Sequence, residues 1–319
     1  MARCISDSTL GSVPDTYLYA LAQNGDNFAT IGSDDRLRMF DISLRPLENG
    51  QQAHSGISCL SSHKHGFATA GRDGIVRWWD IRTRGPNAQA QEPKARGFSS
   101  IACHDHYVAA GTEYAEEGLG TVSVLLYDTR SLSAPVRNYA ESHTDTITQL
   151  AFHPTEPNLL MSGSTDGLVS VFDVNIQEEE DALQTVLNPR SAVHCAGFLT
   201  STTAYVATTD EHFSIYSLAE NDNTFVDFGD VREKASCTYI VSVLNGSSPA
   251  IACGHNINET LSIVELDVSR SGFGRSIDLP RAHGEELVRD LILFDQQRKA
   301  ISCGEDGHVK VWDLASASS

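Results

Sequence analysis

Basic side chains are scarce in this sequence. Lys and Arg number 23 against 42 Asp and Glu, which leaves a formal charge of −19 over 319 residues. A phosphate backbone is bound by neutralising it, so this balance argues against nucleic acid as a partner. It points instead to basic protein partners, which an acidic surface attracts and steers. Long apolar runs are missing too. Nothing approaches the ~20 apolar residues of a membrane span, so no membrane partner is expected. The opening MARCISDSTL has no apolar signal region, which points to the cytoplasm and/or nucleus. Paired cysteines are absent. Cys4, Cys59, Cys103, Cys195, Cys237, Cys253 and Cys303 are odd in number, widely spaced and form no C-x-x-C. That excludes a disulfide framework or cysteine–zinc site and predicts reduced, buried hydrophobes.

Catalytic signatures are likewise missing. There is no G-x-S-x-G, no P-loop and no H-E-x-x-H. Gly163-Ser-Thr-Asp-Gly167 has small residues suited to phosphate but lacks the Lys and the helix that would complete such a site. His63-Lys64-His65 and His104-Asp105-His106 each offer two imidazoles and no third ligand. No catalytic residue, metal or cofactor is therefore expected. Sustained helical periodicity is absent as well; the one candidate, 178–184, is too short to stand alone in water. A hydrophobic content of 40% still provides a packed core.

What the chain does have is a repeat. Thr69-Ala-Gly-Arg-Asp73-Gly-Ile-Val-Arg-Trp-Trp79-Asp80 aligns without gaps with the segments Ser162–Asp173 and Ser302–Asp313. Thr30–Asp41 is a fourth copy. Weaker copies end at Asp128 and Ser217, and a degenerate one ends at Asp267. The end positions 41, 80, 128, 173, 217, 267 and 313 lie about 45 residues apart on average, the period of four-stranded propeller blades. Asp-Gly at 73–74, 166–167 and 306–307 is a strong hairpin signal, because Gly accepts positive φ in a tight turn. The runs beside it are β-branched and aromatic. These features predict an all-β fold.

The repeat resembles the WD-repeat family, over essentially the whole chain. The resemblance implies a single seven-bladed β-propeller spanning 1–319. The last copy leaves only five residues after Leu314, so the ring is expected to close through the N-terminal segment. Residues 1–12, centred on Arg3 to Thr9, would then supply the outer strand of the last blade. The family's hydrogen-bonded tetrad is expected at His54, Thr69, Asp73 and Trp79 and at His283, Ser302, Asp306 and Trp312. His143, Ser162 and Asp166 form a third set, in which Phe172 stands where Trp would be. Thr30 and Asp34 have no evident His. A His, a Ser and an Asp together look like catalytic machinery. Recurrence at one period argues for architecture, since an active site is needed once.

Function in such a fold lies on its loops. Acidic residues concentrate in loops expected on the face the tetrads support: Glu113, Glu116 and Glu117 in the third blade, Glu285 and Glu286 after His283, and Glu305 before Asp306. Clustered carboxylates would grip a basic protein segment. The run Glu178-Glu-Glu-Asp181 reads as a solvated loop on the opposite face. Trp79-Asp80-Ile-Arg82 matches the W-D-x-R that contacts the adaptor in WD-repeat receptors of cullin ubiquitin ligases. Tyr127-Asp128-Thr-Arg130 is a near copy. The expected function is a non-catalytic scaffold or chaperone, monomeric on its own. Within the family, the stretches 110–117 and 139–183 resemble a branch whose plant members are linked to ribosome biogenesis. The alternative is a ligase substrate receptor.

Overall fold

Alternating apolar and polar residues between tight turns build strands, and strands with two buried faces pack as inner layers. The computed structural model describes residues 2–315 other than 49, 84, 116–121, 220–221, 223, 246–247 and 295–296. It contains seven four-stranded antiparallel sheets, the blades of a seven-bladed β-propeller. In each blade the strands are lettered a to d in chain order.

Blades 2 to 5 make up one compact unit, 54–229, apart from Asp230 at the end of blade 5. Blade 2 is built from Ile57–His63, Gly66–Gly71, Ile75–Asp80 and Pro86–Gln91; blade 3 from Phe98–His104, Tyr107–Thr112, Val124–Asp128 and Arg137–Tyr139. Blade 4 comprises Ile147–Phe152, Leu159–Ser164, Val169–Asp173 and Leu183–Leu187; blade 5 comprises Val193–Phe198, Thr203–Thr208, His212–Ser217 and Phe225–Asp230. A second unit, 1–53 with 230–319, carries the rest. There, blade 1 is Leu18–Asn24, Asn27–Gly32, Arg36–Asp41 and Gln51–Gln52, and blade 6 is Tyr239–Leu244, Ala250–His255, Thr260–Asp267 and Gly272–Pro280. Blade 7 takes Val288–Phe294, Lys299–Gly304 and Val309–Asp313, and its fourth strand is Arg3–Ser8. That strand runs antiparallel to Val309–Asp313, pairing Arg3 with Asp313 and Ser8 with Val309.

The b strands are the most deeply packed, and every residue of Gly66–Gly71 is buried. Between blades 2 and 3, Trp78, Phe98 and Tyr127 share one core; between blades 6 and 7, Leu261, Leu279, Val288 and Trp312 share another. Removing each such side chain from water stabilises the fold by about 1.5–3 kcal/mol.

A β-bulge interrupts strand a of blades 2, 3 and 4 at one place. Each bulged residue carries a hydroxyl that donates to a carbonyl of the next blade: Ser58 to Phe98 at 2.5 Å, Ser99 to Ile147 at 2.8 Å, and Thr148 to Val193 at 2.9 Å. These pins link blades 2 to 5 through their innermost strands.

Between strands b and c, the Gly residues of the three Asp-Gly turns adopt φ of +69°, +84° and +75°. Asp35, Glu211 and Glu259 occupy the same position in blades 1, 5 and 6, with φ of +61°, +66° and +53°. In all six the residue's N–H closes on the carbonyl three residues earlier.

In the acidic run at 178–181, Glu178, Glu180 and Asp181 are exposed as a solvated loop would have them, and Glu179 departs from that expectation. Glu179–Ala182 form one helical turn. The Glu179 carboxylate accepts from the backbone N–H groups of Ala140, Glu141 and Ser142 at 2.6–3.0 Å and from the Ser142 hydroxyl at 2.6 Å. Three convergent N–H groups make an anion nest, and Glu179 fills it. The run therefore folds back onto the segment that leads into blade 4.

Candidate functional site

The tetrads are built from three elements each: His from the loop before strand a, Ser or Thr from strand b, and Asp from the b–c turn. In blade 2, His54 Nδ1 lies 2.9 Å from Asp73 Oδ1 and Nε2 lies 2.7 Å from Thr69 Oγ1. Trp79 Nε1 donates to that hydroxyl at 2.8 Å. Blade 7 repeats this, with His283 at 2.6 Å from Asp306 and 2.8 Å from Ser302, and Trp312 donating to Ser302 at 3.0 Å. One proton assignment accounts for the bonds among the four tetrad residues. The indole N–H donates to the hydroxyl oxygen, the hydroxyl donates to Nε2, and Nδ1–H donates to the carboxylate.

In blade 4, His143 lies 3.1 Å from Asp166 and 2.7 Å from Ser162. Phe172 offers no donor and instead stacks on Tyr139 at 4.7 Å between centroids. Blade 1 solves the problem another way. Arg38, almost wholly buried, reaches back from strand c to pair with Asp34, and Thr30 donates to Ala20. Arg77 on Asp73 and Lys310 on Asp306 are the same strand-c cation in blades 2 and 7.

Electrostatics follow from these contacts. Burial works against the Asp73 charge, but hydrogen bonds from Arg77 and His54 overcome it and hold the carboxyl below its ordinary value. Asp166 and Asp306 are lowered in the same way, against burial, by His143 and His283. Burial pushes His283 down. The Ser-His-Asp resemblance to a hydrolase triad ends at access. Thr69, Ser162 and Ser302 are wholly buried, so no substrate reaches the hydroxyls.

The acidic loop residues have varied surroundings. Glu285 and Glu286 are exposed and make no ion pair among the described residues. Glu305, in the same unit, is engaged by the Arg289 guanidinium, whose Nε donates at 2.7 Å. In the other unit Glu113 faces Arg72 at 3.3 Å. Both pairs involve well-exposed arginines and are weak. Glu116 and Glu117 lie outside the described residues.

The W-D-x-R residues differ from one another. Trp79 is only 2% exposed and belongs to its tetrad, so it offers nothing to a partner; this corrects its place among adaptor-contacting residues. Asp80 is occupied by Arg82 through Nε at 2.9 Å and Nη2 at 2.6 Å, which holds its carboxyl far below the usual range. Asp128 and Arg130 form an identical fork, and Asp128 is lowered to about 2, chiefly by Arg130. Arg82 and Arg130 remain exposed. The fork Asp230–Arg232, with the same geometry, was not singled out in the sequence, although its D-x-R spacing is visible there.

The histidine pairs join neighbouring turns of blades 2 and 3. Lys64 Nζ lies 3.0 Å from Asp105, which also meets His106 Nδ1 at 2.8 Å; these contacts lower Asp105 to about 2, His106 contributing most. Among the described residues, no cluster of three or more His, Cys, Asp or Glu is placed to hold a metal, and no helix is long and apolar enough to cross a membrane. None of the seven cysteines forms a disulfide. Cys59, Cys237, Cys253 and Cys303 are buried, whereas Cys4 is exposed and Cys103 and Cys195 are half-buried, so the buried-hydrophobe expectation covers four of them.

Seven four-stranded blades with recurring tetrads form a seven-bladed β-propeller, and the chain carries WD repeats. The model of the WD domain, G-beta repeat matches residues 47–80, 134–173 and 274–313, the stretches that hold the three His-containing tetrads. Among individual proteins, the chain is similar to an uncharacterised WD repeat-containing protein of Saccharomyces cerevisiae, at 35% identity over 75% of this chain and 61% of that one. An uncharacterised WD repeat-containing protein of Schizosaccharomyces pombe is 28% identical over 96% of this chain and 98% of its own length. The WD repeat-containing protein 89 homolog of Dictyostelium discoideum is 24% identical over 93% of this chain and 82% of that one. That last protein carries the name of the branch which the stretches 110–117 and 139–183 resemble. WD propellers generally bind protein partners and typically serve as non-enzymatic scaffolds.

Proposed function

We propose that this protein is a non-catalytic scaffold or chaperone of the cytoplasm and/or nucleus. Its acidic loops hold a basic segment of a partner, and that partner works in ribosome biogenesis, a reading supported by the resemblance to a branch with plant members linked to that process. The observation that carries the reading is the formal charge of −19 together with two adjacent exposed carboxylates, Glu285 and Glu286, that no cation offsets among the described residues. Exposed carboxylates steer a basic chain and bond its guanidinium and ammonium groups. Replacing Glu116, Glu117, Glu285 and Glu286 with Lys is expected to abolish capture of the basic client in affinity purification at low salt. Unchanged capture, insensitive to salt, overturns the reading. Fractionation of cells should place the protein with that client.

A second reading is favoured by the matched Asp80–Arg82 and Asp128–Arg130 forks. As a cullin-ligase substrate receptor, the protein would present Arg82 and Arg130 to the adaptor. Co-purification with the adaptor is then expected and should be lost in Arg82→Ala. Absence of the adaptor from the unaltered protein's eluate eliminates this alternative.

A further inference from the structure

Exposed aromatic and branched side chains are unfavourable in water unless something covers them. Nine large apolar residues stand exposed among the described residues, and two of them, Val186 at 48% and Phe225 at 58%, line one groove of about 520 Å³. One wall of that groove is residues 184–188, the outer strand of blade 4 with its next residue. Side chains of a strand alternate between two faces. Five consecutive residues therefore border one space only if the strand's backbone edge faces it. Leu183–Leu187 is the last strand of its sheet, so that edge carries no further strand among the described residues.

The other wall is made by Tyr216 to Ala219, Asp222, Thr224 and Phe225 of blade 5. Tyr216 and Phe225 stack there at 5.7 Å between centroids and 17° between planes. Asp222 lines the same wall, and Asp227 acts on Tyr216 from the strand behind it, with Arg190 the opposing cation in range. Exposed Glu180 and Asp181 lead into the blade 4 strand. An open edge, an aromatic shelf and a surplus of carboxylates thus share one place. Open edges accept an added strand. Aromatic faces attract cations, Arg above all.

We propose that this groove receives an extended basic protein segment, which pairs as a fifth strand beside Leu183–Leu187 and lays an Arg or Lys across Tyr216 and Phe225 toward Asp222. The proposal shares with the preceding section the reading that the partner is basic, but assigns it to a different surface.

The test uses the full chain and a fluorescent, capped peptide alternating valine with arginine, with a valine–glutamate peptide as control, read by anisotropy. The arginine peptide is expected to bind, more weakly at high salt, and the glutamate peptide to fail. Phe225→Ala combined with Asp222→Asn should weaken binding by about tenfold or more. The backbone amides of 183–187 should gain protection from hydrogen exchange when the peptide is present. Phe225 is exposed and Asp222 half-buried, and an unchanged circular dichroism spectrum shows that the variant folds. Equal binding of the two peptides, no binding of either, or binding untouched by the groove variant overturns the proposal. Loss of binding in Glu285→Lys with Glu286→Lys, but not in the groove variant, overturns the groove and leaves the acidic-loop reading standing. Client capture unaffected by the loop substitutions, beside peptide binding lost in the groove variant, does the reverse.

Discussion

Asp290 and Asp73 carry the same carboxyl and titrate in opposite directions. Asp73 is held below its ordinary 3.8, because Arg77 and His54 outweigh its burial. Asp290, on strand a of blade 7, is raised to about 6 by burial, despite backbone bonds from Leu21 and Leu291. It stays partly accessible, so water screens part of that effect. The signs follow by linkage. Depressed carboxyls such as Asp73, Asp166 and Asp306 contribute stability above 3.8 that is lost as pH falls through their folded values. Asp290 contributes stability below 3.8 that is lost as pH rises toward 6. Asp290→Asn is therefore expected to flatten the unfolding free energy between those two values, while Asp73→Asn blunts the acid limb. Urea titrations across pH check both. Within a tetrad, Trp312→Phe removes the donor to Ser302 and should destabilise by about 1–2 kcal/mol in the same assay. Blade 4 already lives with such a Phe, at a position where Tyr139 covers it.

At the scale of elements, legibility depended on whether a contact needs a particular side chain. The Asp-Gly turns announce themselves, because Gly is the residue that takes positive φ without strain. Asp35, Glu211 and Glu259 make the same turn without Gly and are invisible to that rule. Each holds a backbone that an L side chain resists. Replacing one of them with Gly relieves that strain but loosens the unfolded chain, for a net gain of up to about 1 kcal/mol. Thermal unfolding of Asp35→Gly is the cleanest check. The bulge hydroxyls and Glu179 escaped the sequence for a shared reason: their partners are backbone groups, which every residue has. Nothing in the spacing of Ser58, Ser99 and Thr148 names the carbonyls they reach. An acidic run looks solvated until the three N–H groups facing Glu179 are seen. Glu179→Ala leaves those donors short of an acceptor next to His143 and should destabilise by about 1–3 kcal/mol. Hydrogen exchange at Ala140, Glu141 and Ser142 should rise with it.

For the whole molecule, the repeat carried almost all of the architecture, down to the strand ends at Asp128, Ser217 and Asp267 in the weakest blades. The chemistry of binding was less legible, because loops and edges are free of the period that discloses strands. One consequence of the seventh blade concerns time rather than contacts. Its outer strand, Arg3–Ser8, is made some three hundred residues before its partner, Val309–Asp313. At ribosomal speeds of ~5–20 residues per second, the interval is roughly 15–60 s. Throughout it the first strand has no partner to pair with, and such pairings over long sequence separations form slowly even in a finished chain. A nascent chain in this condition is sticky by construction. Its greatest need of a chaperone falls while it is still on the ribosome, and a truncation that removes residues 2–9 would leave blade 7 with an open edge for good.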